Sequence, residues 1–186
     1  MSLIKKLFLA LSLILAGTVA ASAAAPIKDP ENTLVMQLTY GRVVIAMRPD
    51  LAPKHVARIK ELTRQGFYNG TPFHRVIDGF MAQGGDPTGT GRGGSGFKIP
   101  AEFSTVHHER GTVSMARASD PNSADSQFFI CFAPQSMLDG KYTIWGSVID
   151  GMPFVDMIKK GESSENGAVA GPDRIVWMKV AADLKE

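Results

Sequence analysis

The chain has 186 residues, 44% of them hydrophobic and 20% charged, which are ordinary globular values that fit one domain with a sizeable core. Its formal charge of +2 falls to zero once Lys5 and Lys6 are removed with the leader described next, leaving no electrostatic footprint for nucleic acid or an anionic membrane. A single cysteine, Cys131, excludes an internal disulfide, and 19 glycines with 11 prolines favour a turn-rich β protein over a helical bundle.

Residues 1–23 read as a secretory signal peptide. Lys5 and Lys6 form a positive n-region, Leu7 to Ala16 an apolar h-region, and Ala21-Ser22-Ala23 fits the A-x-A cleavage pattern. That apolar core is too short to span a bilayer comfortably, so stable membrane insertion is not expected. No cysteine lies near the cleavage region and no twin arginine precedes it, and Asp183-Leu184-Lys185-Glu186 is not an ER-retention signal. Export to a bacterial periplasm is the simplest destination, with an extracellular one as the alternative.

Residues 24–32 are expected to form a flexible mature N-terminus. Leu34 to Thr39 and Arg42 to Met47 are β-rich runs around Tyr40-Gly41, a predicted hairpin. Pro53 opens a helix with Val56, Ile59 and Leu62 on one side, closed by Gly66. Short β-like runs follow at 73–77, 80–84, 97–103, 111–116, 126–133 and 142–149. A second helix is predicted from Pro153 to Lys160, and a last strand from Arg174 to Val180 that returns to the sheet edge. About eight strands and two helices without βαβ alternation predict a mainly β fold, a closed antiparallel barrel over residues 33–186.

Three motifs resemble sites and are read as none. Gly89-Thr90-Gly91-Arg92-Gly93-Gly94 matches G-x-G-x-x-G, but the extended, proline-broken run from Ser95 to Pro100 follows it where a dinucleotide site needs a helix. The glycines are expected to shape a tight loop. His107-His108-Glu109 lacks supporting metal-ligand spacing, and adjacent histidines on an extended run point to opposite sides, so a solvated loop is expected. Cys131 lies in the apolar run from Phe128 to Phe132 and reads as a buried small hydrophobe.

The most informative stretch runs from Phe73 to Pro87, Phe73-His74-Arg75-Val76-Ile77-Asp78-Gly79-Phe80-Met81-Ala82-Gln83-Gly84-Gly85-Asp86-Pro87. It sets a planar, permanently charged guanidinium beside Phe80 and Met81, which suits a neutral ligand with a carbonyl at one end and a compact apolar body. These residues, with the run from Gly111 to Ala118, that from Ser126 to Cys131, and Leu138-Asp139-Gly140-Lys141, closely resemble the cyclophilins, a family of peptidyl-prolyl cis–trans isomerases. The resemblance runs from about Leu34 to about Val180.

The resemblance implies an eight-stranded barrel with a helix over each open end and a cofactor-free, metal-free isomerase of X–Pro bonds. Its substrates would be proline-containing peptides and unfolded exported proteins, and it is expected to be a monomer. It assigns Arg75 the catalytic role. Phe80, Met81, Gln83, Ala116, Arg117, Phe129, Met137, Leu138 and Tyr142 would bind substrate, with His74 and Gln127 in support. Many eukaryotic members carry tryptophan at Met137 and histidine at Tyr142. Methionine lacks the indole donor, so weak cyclosporin binding is expected. Arg117 replaces a commoner asparagine whose contact is largely through backbone. The competing class is a module that binds proline segments without turning them over.

Overall fold

The structure, a computed structural model, describes residues 27–185. The leader assigned to residues 1–23 therefore lies outside the described residues, as do residues 24–26. Of the remaining stretch before the first strand, Asp29 to Asn32 forms a turn in which the Asp29 side chain accepts from the Asn32 backbone at 3.1 Å.

Eight strands make one antiparallel sheet: β1 (Thr33–Gln37), β2 (Arg42–Met47), β3 (Arg75–Ile77), β4 (Met81–Gly84), β5 (Thr112–Met115), β6 (Phe128–Cys131), β7 (Ile144–Asp150) and β8 (Trp177–Val180). Their spatial order is β3-β4-β6-β5-β7-β2-β1-β8, so the last strand does return to an edge. The sheet curls round a core in which Phe128 meets Tyr68 and Trp145 edge to face, at centroid separations of 5.7 and 5.8 Å.

The expected strand closure does not occur. The edge strands β3 and β8 do not pair. Instead the irregular segments preceding them bond across the gap, Phe73 N to Asp173 O at 2.9 Å and Ile175 N to Thr71 O at 2.9 Å. The curled sheet is thus completed by loop backbone rather than by a continuous ladder.

The run 97–103 is not a strand either. Ile99 makes one bridge to Ala124, and Pro100 has no N–H to continue a ladder. The next two backbone donors go to side chains, Ala101 N to Asn122 Oδ1 and Glu102 N to Thr143 Oγ1, both at 3.0 Å.

Helix α1 (Pro53–Arg64) turns His55, Val56, Ile59, Leu62 and Thr63 into the core, as its apolar spacing predicts. Helix α2 (Met152–Asp156) follows the far end of β7, so the two helices cover opposite ends of the β2–β7 pair. It is shorter than expected. Ile158 N already bonds Val155 O in a tighter turn, and Lys159 N leaves the helical ladder for the Asp173 carboxylate at 2.8 Å. Gly151 starts α2 at a φ of +83°, where a Cβ would lie 2.2 Å from the Arg42 carbonyl oxygen.

The N-terminus of α1 lacks a local cap, because Ala52 has no side-chain acceptor. Glu102 supplies it from across the chain. Its carboxylate accepts from Lys54 N at 3.1 Å, His55 N at 3.0 Å and the His55 ring Nδ1 at 2.7 Å. Burial acts to raise the Glu102 pKa, but these bonds together hold it below the ordinary glutamate value.

A depressed folded-state pKa stabilises the fold above the unfolded value, and that contribution is lost as pH falls through the folded value. Glu102→Gln should cost about 1 kcal/mol at neutral pH by urea denaturation. The difference from the parent should shrink as pH drops below 4.5, the ordinary value for this carboxyl. A parent and variant that differ equally at pH 7 and pH 3 would rule out the carboxylate as the cap.

Candidate active site

The site forms on the outer face of the sheet. Because side chains alternate along strands, Val76, Ala82, Phe128 and Ile130 point to the core, while Arg75, Met81, Gln83, Phe129 and Cys131 face outward. Register then aligns them. Arg75 pairs with Gln83, Gln83 with Phe129, and Phe129 with Ser114, a row across four strands. A second, smaller apolar cluster grows on this face from Met81, Phe129, Cys131 and Leu138, with Phe80, Ala116 and Tyr142 packed at its margin.

These residues enclose a pocket of about 110 Å3. Arg75 and Gln83 lie on one side, Phe80, Met81, Phe129 and Leu138 form the walls, and Ala116, Arg117 and Tyr142 complete the lining. The structure therefore brings nine of the expected residues together. Met137 stands apart, 66% exposed in the single turn Ser136–Leu138 at the rim. A wider cleft of about 450 Å3 adjoins the pocket, sharing Gln83, Ala116 and Arg117.

Arg75 is held by three acceptors. Nε donates to the Asn166 carbonyl at 3.0 Å, Nη2 to Asn166 Oδ1 at 3.0 Å and Nη1 to Gln83 Oε1 at 3.2 Å. Burial pulls its pKa below the ordinary arginine value, but a guanidinium remains charged at neutral pH. Five N–H groups less three leaves two donors, one on each terminal nitrogen, without a partner among the described residues and able to meet a ligand. Asn166 was not anticipated from sequence. It lies 91 positions away and sits in the left-handed region at φ 54°, which aims its backbone and side-chain oxygens together.

An amide chain continues behind the arginine. Gln83 Nε2 donates to Gln127 Oε1 at 2.9 Å, and Gln127 Nε2 donates to the Gly91 and Gly93 carbonyls at 3.0 and 2.9 Å. The two carbonyls can only accept, which orients Gln127, then Gln83, then the oxygen facing Arg75. Gln127 thus stands behind Gln83, outside the pocket lining. His74 packs under Gly91 with its ring nitrogens buried and unbonded among the described residues, and burial pushes its pKa down.

The glycine-rich loop is a carboxylate cradle rather than a nucleotide site. Buried Asp86 accepts from Thr88 N at 2.8 Å, Gly91 N at 2.7 Å and Gly93 N at 3.1 Å. Burial acts to raise its pKa, yet the Thr88 hydroxyl and these N–H groups outweigh it and hold the carboxyl low. A Cβ on Gly93 would fall 2.1 Å from Asp86 Oδ1, so only glycine fits there.

Arg117 folds its side chain back over Tyr142, 4.6 Å from the ring centroid, and donates to the Lys141 carbonyl from Nε at 3.1 Å and Nη2 at 2.9 Å. Ala116 N is already bonded to the Gln127 carbonyl at 2.9 Å. Of the two histidines, His107 is exposed as expected and His108 departs from the solvated loop. Both rings reach one carboxylate, Asp139, at 2.7 Å from His107 and 3.0 Å from His108, and His108 is buried. Cys131 is buried as expected, its thiol pushed up to about 12.

Comparison with known proteins agrees with this geometry. Residues 33–180 match the family described as cyclophilin type peptidyl-prolyl cis-trans isomerase/CLD. A probable peptidyl-prolyl cis-trans isomerase of Brucella suis is 51% identical, covering 96% of this chain and 94% of its own. A peptidyl-prolyl cis-trans isomerase of Helicobacter pylori is 40% identical over 79% of this chain and 86% of its own. Among solved structures, a cyclophilin from Hirschia baltica superposes with a TM-score of 0.75 at 32% identity, covering 84% of this chain and 76% of that one. A Cryptosporidium parvum cyclophilin-type isomerase, crystallised in the presence of the dipeptide Ala-Pro, gives 0.73 at 31% identity, covering 80% and 98%. An outward guanidinium above an apolar pocket, a curled eight-stranded sheet and this spread of relatives converge: the chain belongs to the cyclophilin-type peptidyl-prolyl cis–trans isomerases.

Proposed function

We propose that Arg75 and the apolar pocket beside it rotate X–Pro bonds in exported proteins as they fold, without a covalent step. The observation that carries this reading is the guanidinium fixed at the pocket edge with two N–H donors to spare. Rotation faces a barrier of about 18–20 kcal/mol because amide resonance must be broken. In the twisted transition state the prolyl nitrogen becomes pyramidal and gains a lone pair. One free donor of Arg75 holds the carbonyl before the proline, and the other meets that nitrogen.

A charge-assisted hydrogen bond of about 1.5–3 kcal/mol accounts for one to two decades of rate. The remainder comes from positioning and from the pocket. Phe80, Met81, Phe129 and Leu138 grip the ring and displace water, which disfavours the more polar planar amide. Gln83 keeps one amide N–H beyond that given to Gln127, a third anchor for the peptide. A binding module for proline segments would need only the apolar walls, so the ordered arginine favours turnover.

Export rests on the leader features at Lys5, Lys6 and Ala21-Ser22-Ala23, and it would place the clients in the periplasm. Among the described residues no helix is long and apolar enough to cross a membrane. Expression of the full chain in a Gram-negative host should give periplasmic protein beginning near Ala24 or Ala25. N-terminal sequencing that finds Met1 in the membrane fraction would reject the leader.

Arg75→Ala should lower kcat/KM on a proline peptide by about 10–100-fold with a native circular dichroism spectrum. Arg75→Lys should also be poor, because a point charge does not reproduce the planar fork. Near-parental turnover in the folded alanine variant would refute the catalytic assignment. Asn166→Gly keeps the left-handed backbone and its carbonyl but deletes Oδ1, which should cost about 2–10-fold in kcat/KM. Parental kinetics would mean that the side-chain tether to Nη2 has no catalytic weight.

Weak cyclosporin binding follows from Met137, whose thioether supplies no donor at the rim. Met137→Trp should tighten inhibition by about tenfold while peptide turnover changes little. Equal inhibition of parent and variant would transfer the discrimination to Tyr142.

A further inference from the structure

We propose that His108 is a positioning residue for the proline pocket, a role that rests on the isomerase reading above. It is 1% exposed between exposed neighbours, His107 and Glu109. Its ring stacks on Phe129, with centroids 6.3 Å apart and planes within 16°. Phe129 is a wall of the pocket, so His108 forms the layer directly behind that wall.

Two polar tethers fix the plane of the imidazole. Nδ1 meets Asp139 Oδ1 at 3.0 Å, and the same oxygen accepts from the His108 backbone N–H at 2.8 Å. A carboxylate only accepts, so Nδ1 carries a proton. Asp139 is held ionised below the usual carboxylate range, first by the His107 ring and then by the His108 backbone N–H and ring. It directly follows Leu138, a second wall of the pocket.

At the other end, Nε2 lies 3.1 Å from Ser114 Oγ, which is also 2.8 Å from the Thr143 carbonyl beside Tyr142. The single hydroxyl proton of Ser114 serves one of these partners at a time. Protonation of His108 would turn it from the imidazole to the carbonyl, and the Thr143 oxygen already accepts from Met115 N at 2.9 Å when it does not. One side chain therefore links the walls at Phe129 and Leu138 to the segment that carries Tyr142. Its contribution is orientation of those walls toward Arg75, not contact with substrate.

The test compares the parent with His108→Ala and His108→Phe. His108→Ala empties the layer behind Phe129 and should lower kcat/KM by about tenfold, mainly in kcat, because what is lost is orientation rather than apolar contact with the peptide. His108→Phe fills the layer, which protects the fold, but bonds neither Asp139 nor Ser114. Its expected loss is about threefold. Aromatic 13C relaxation should find Phe129 in one rotamer in the parent and in exchange in both variants. His107→Ala, which removes the exposed partner of the same carboxylate, should leave turnover and Phe129 unchanged.

Parental kcat in folded His108→Phe, or a Phe129 equally ordered in all three proteins, would overturn the proposal. If the parent itself failed to isomerise proline peptides, the isomerase reading would fall. The Phe129 measurement would still decide whether His108 orders the pocket wall.

Discussion

A guanidinium on a largely apolar face must have its orientation determined by acceptors, and everything at this site depends on how Arg75 obtains them. Asn166 and Gln83 take three of its five donors, which leaves one donor on each terminal nitrogen of a residue that lines the pocket. Gln83 can present its oxygen only because Gln127 receives its amide proton, and Gln127 is oriented by two loop carbonyls. That loop is in turn wound around Asp86. The direction of a hydrogen bond at the reacting end is thus set by a carboxylate several residues deep in the structure.

The strand register supplies the second element of the design. Alternation separates one sequence stretch into core residues and site residues, and antiparallel pairing brings Arg75, Gln83, Phe129 and Ser114 into a single row. A slip of one residue in β4 would send Met81 and Gln83 inward and Ala82 outward, removing both a wall and an amide. The interior aromatic contacts of Phe128 with Tyr68 and Trp145 fix β6, the strand with which β4 pairs, and so keep the adjacent Phe129 on the outer face.

Much of this was legible in the chain. The contrast between Val76 and its neighbours, or between Phe128 and Phe129, is a period-two pattern whose outward members are Arg75, Ile77 and Phe129. Family resemblance rather than periodicity singled out Ala116, just past the end of β5, and Leu138 and Tyr142, which share the connection between β6 and β7. What escaped notice has physical reasons. Asn166 acts through a left-handed backbone in an unpatterned loop. His108 looks like one of two solvated histidines until Asp139 draws both rings toward itself. The run at 97–103 has strand composition, but Pro100 and the side chains of Asn122 and Thr143 take its backbone partners away from a ladder. The expected full closure of the barrel failed for a similar reason, since loop residues near Phe73 and Ile175 make the bonds that strands would have made.

The site cluster around Met81, Phe129 and Leu138 is separate from the cluster that fills the barrel. Folding cooperativity is therefore vested mostly in side chains that never meet a ligand. Exposed rim positions such as Met137, which contribute little buried area, can drift with little cost to the scaffold. A protein arranged this way is evolvable at its mouth: ligand preference can diversify between lineages while the barrel stays constant. Cys131 marks the limit of that freedom, because it belongs to the outer cluster yet is sealed from solvent, so a larger or charged replacement there would disturb the strand that both clusters share.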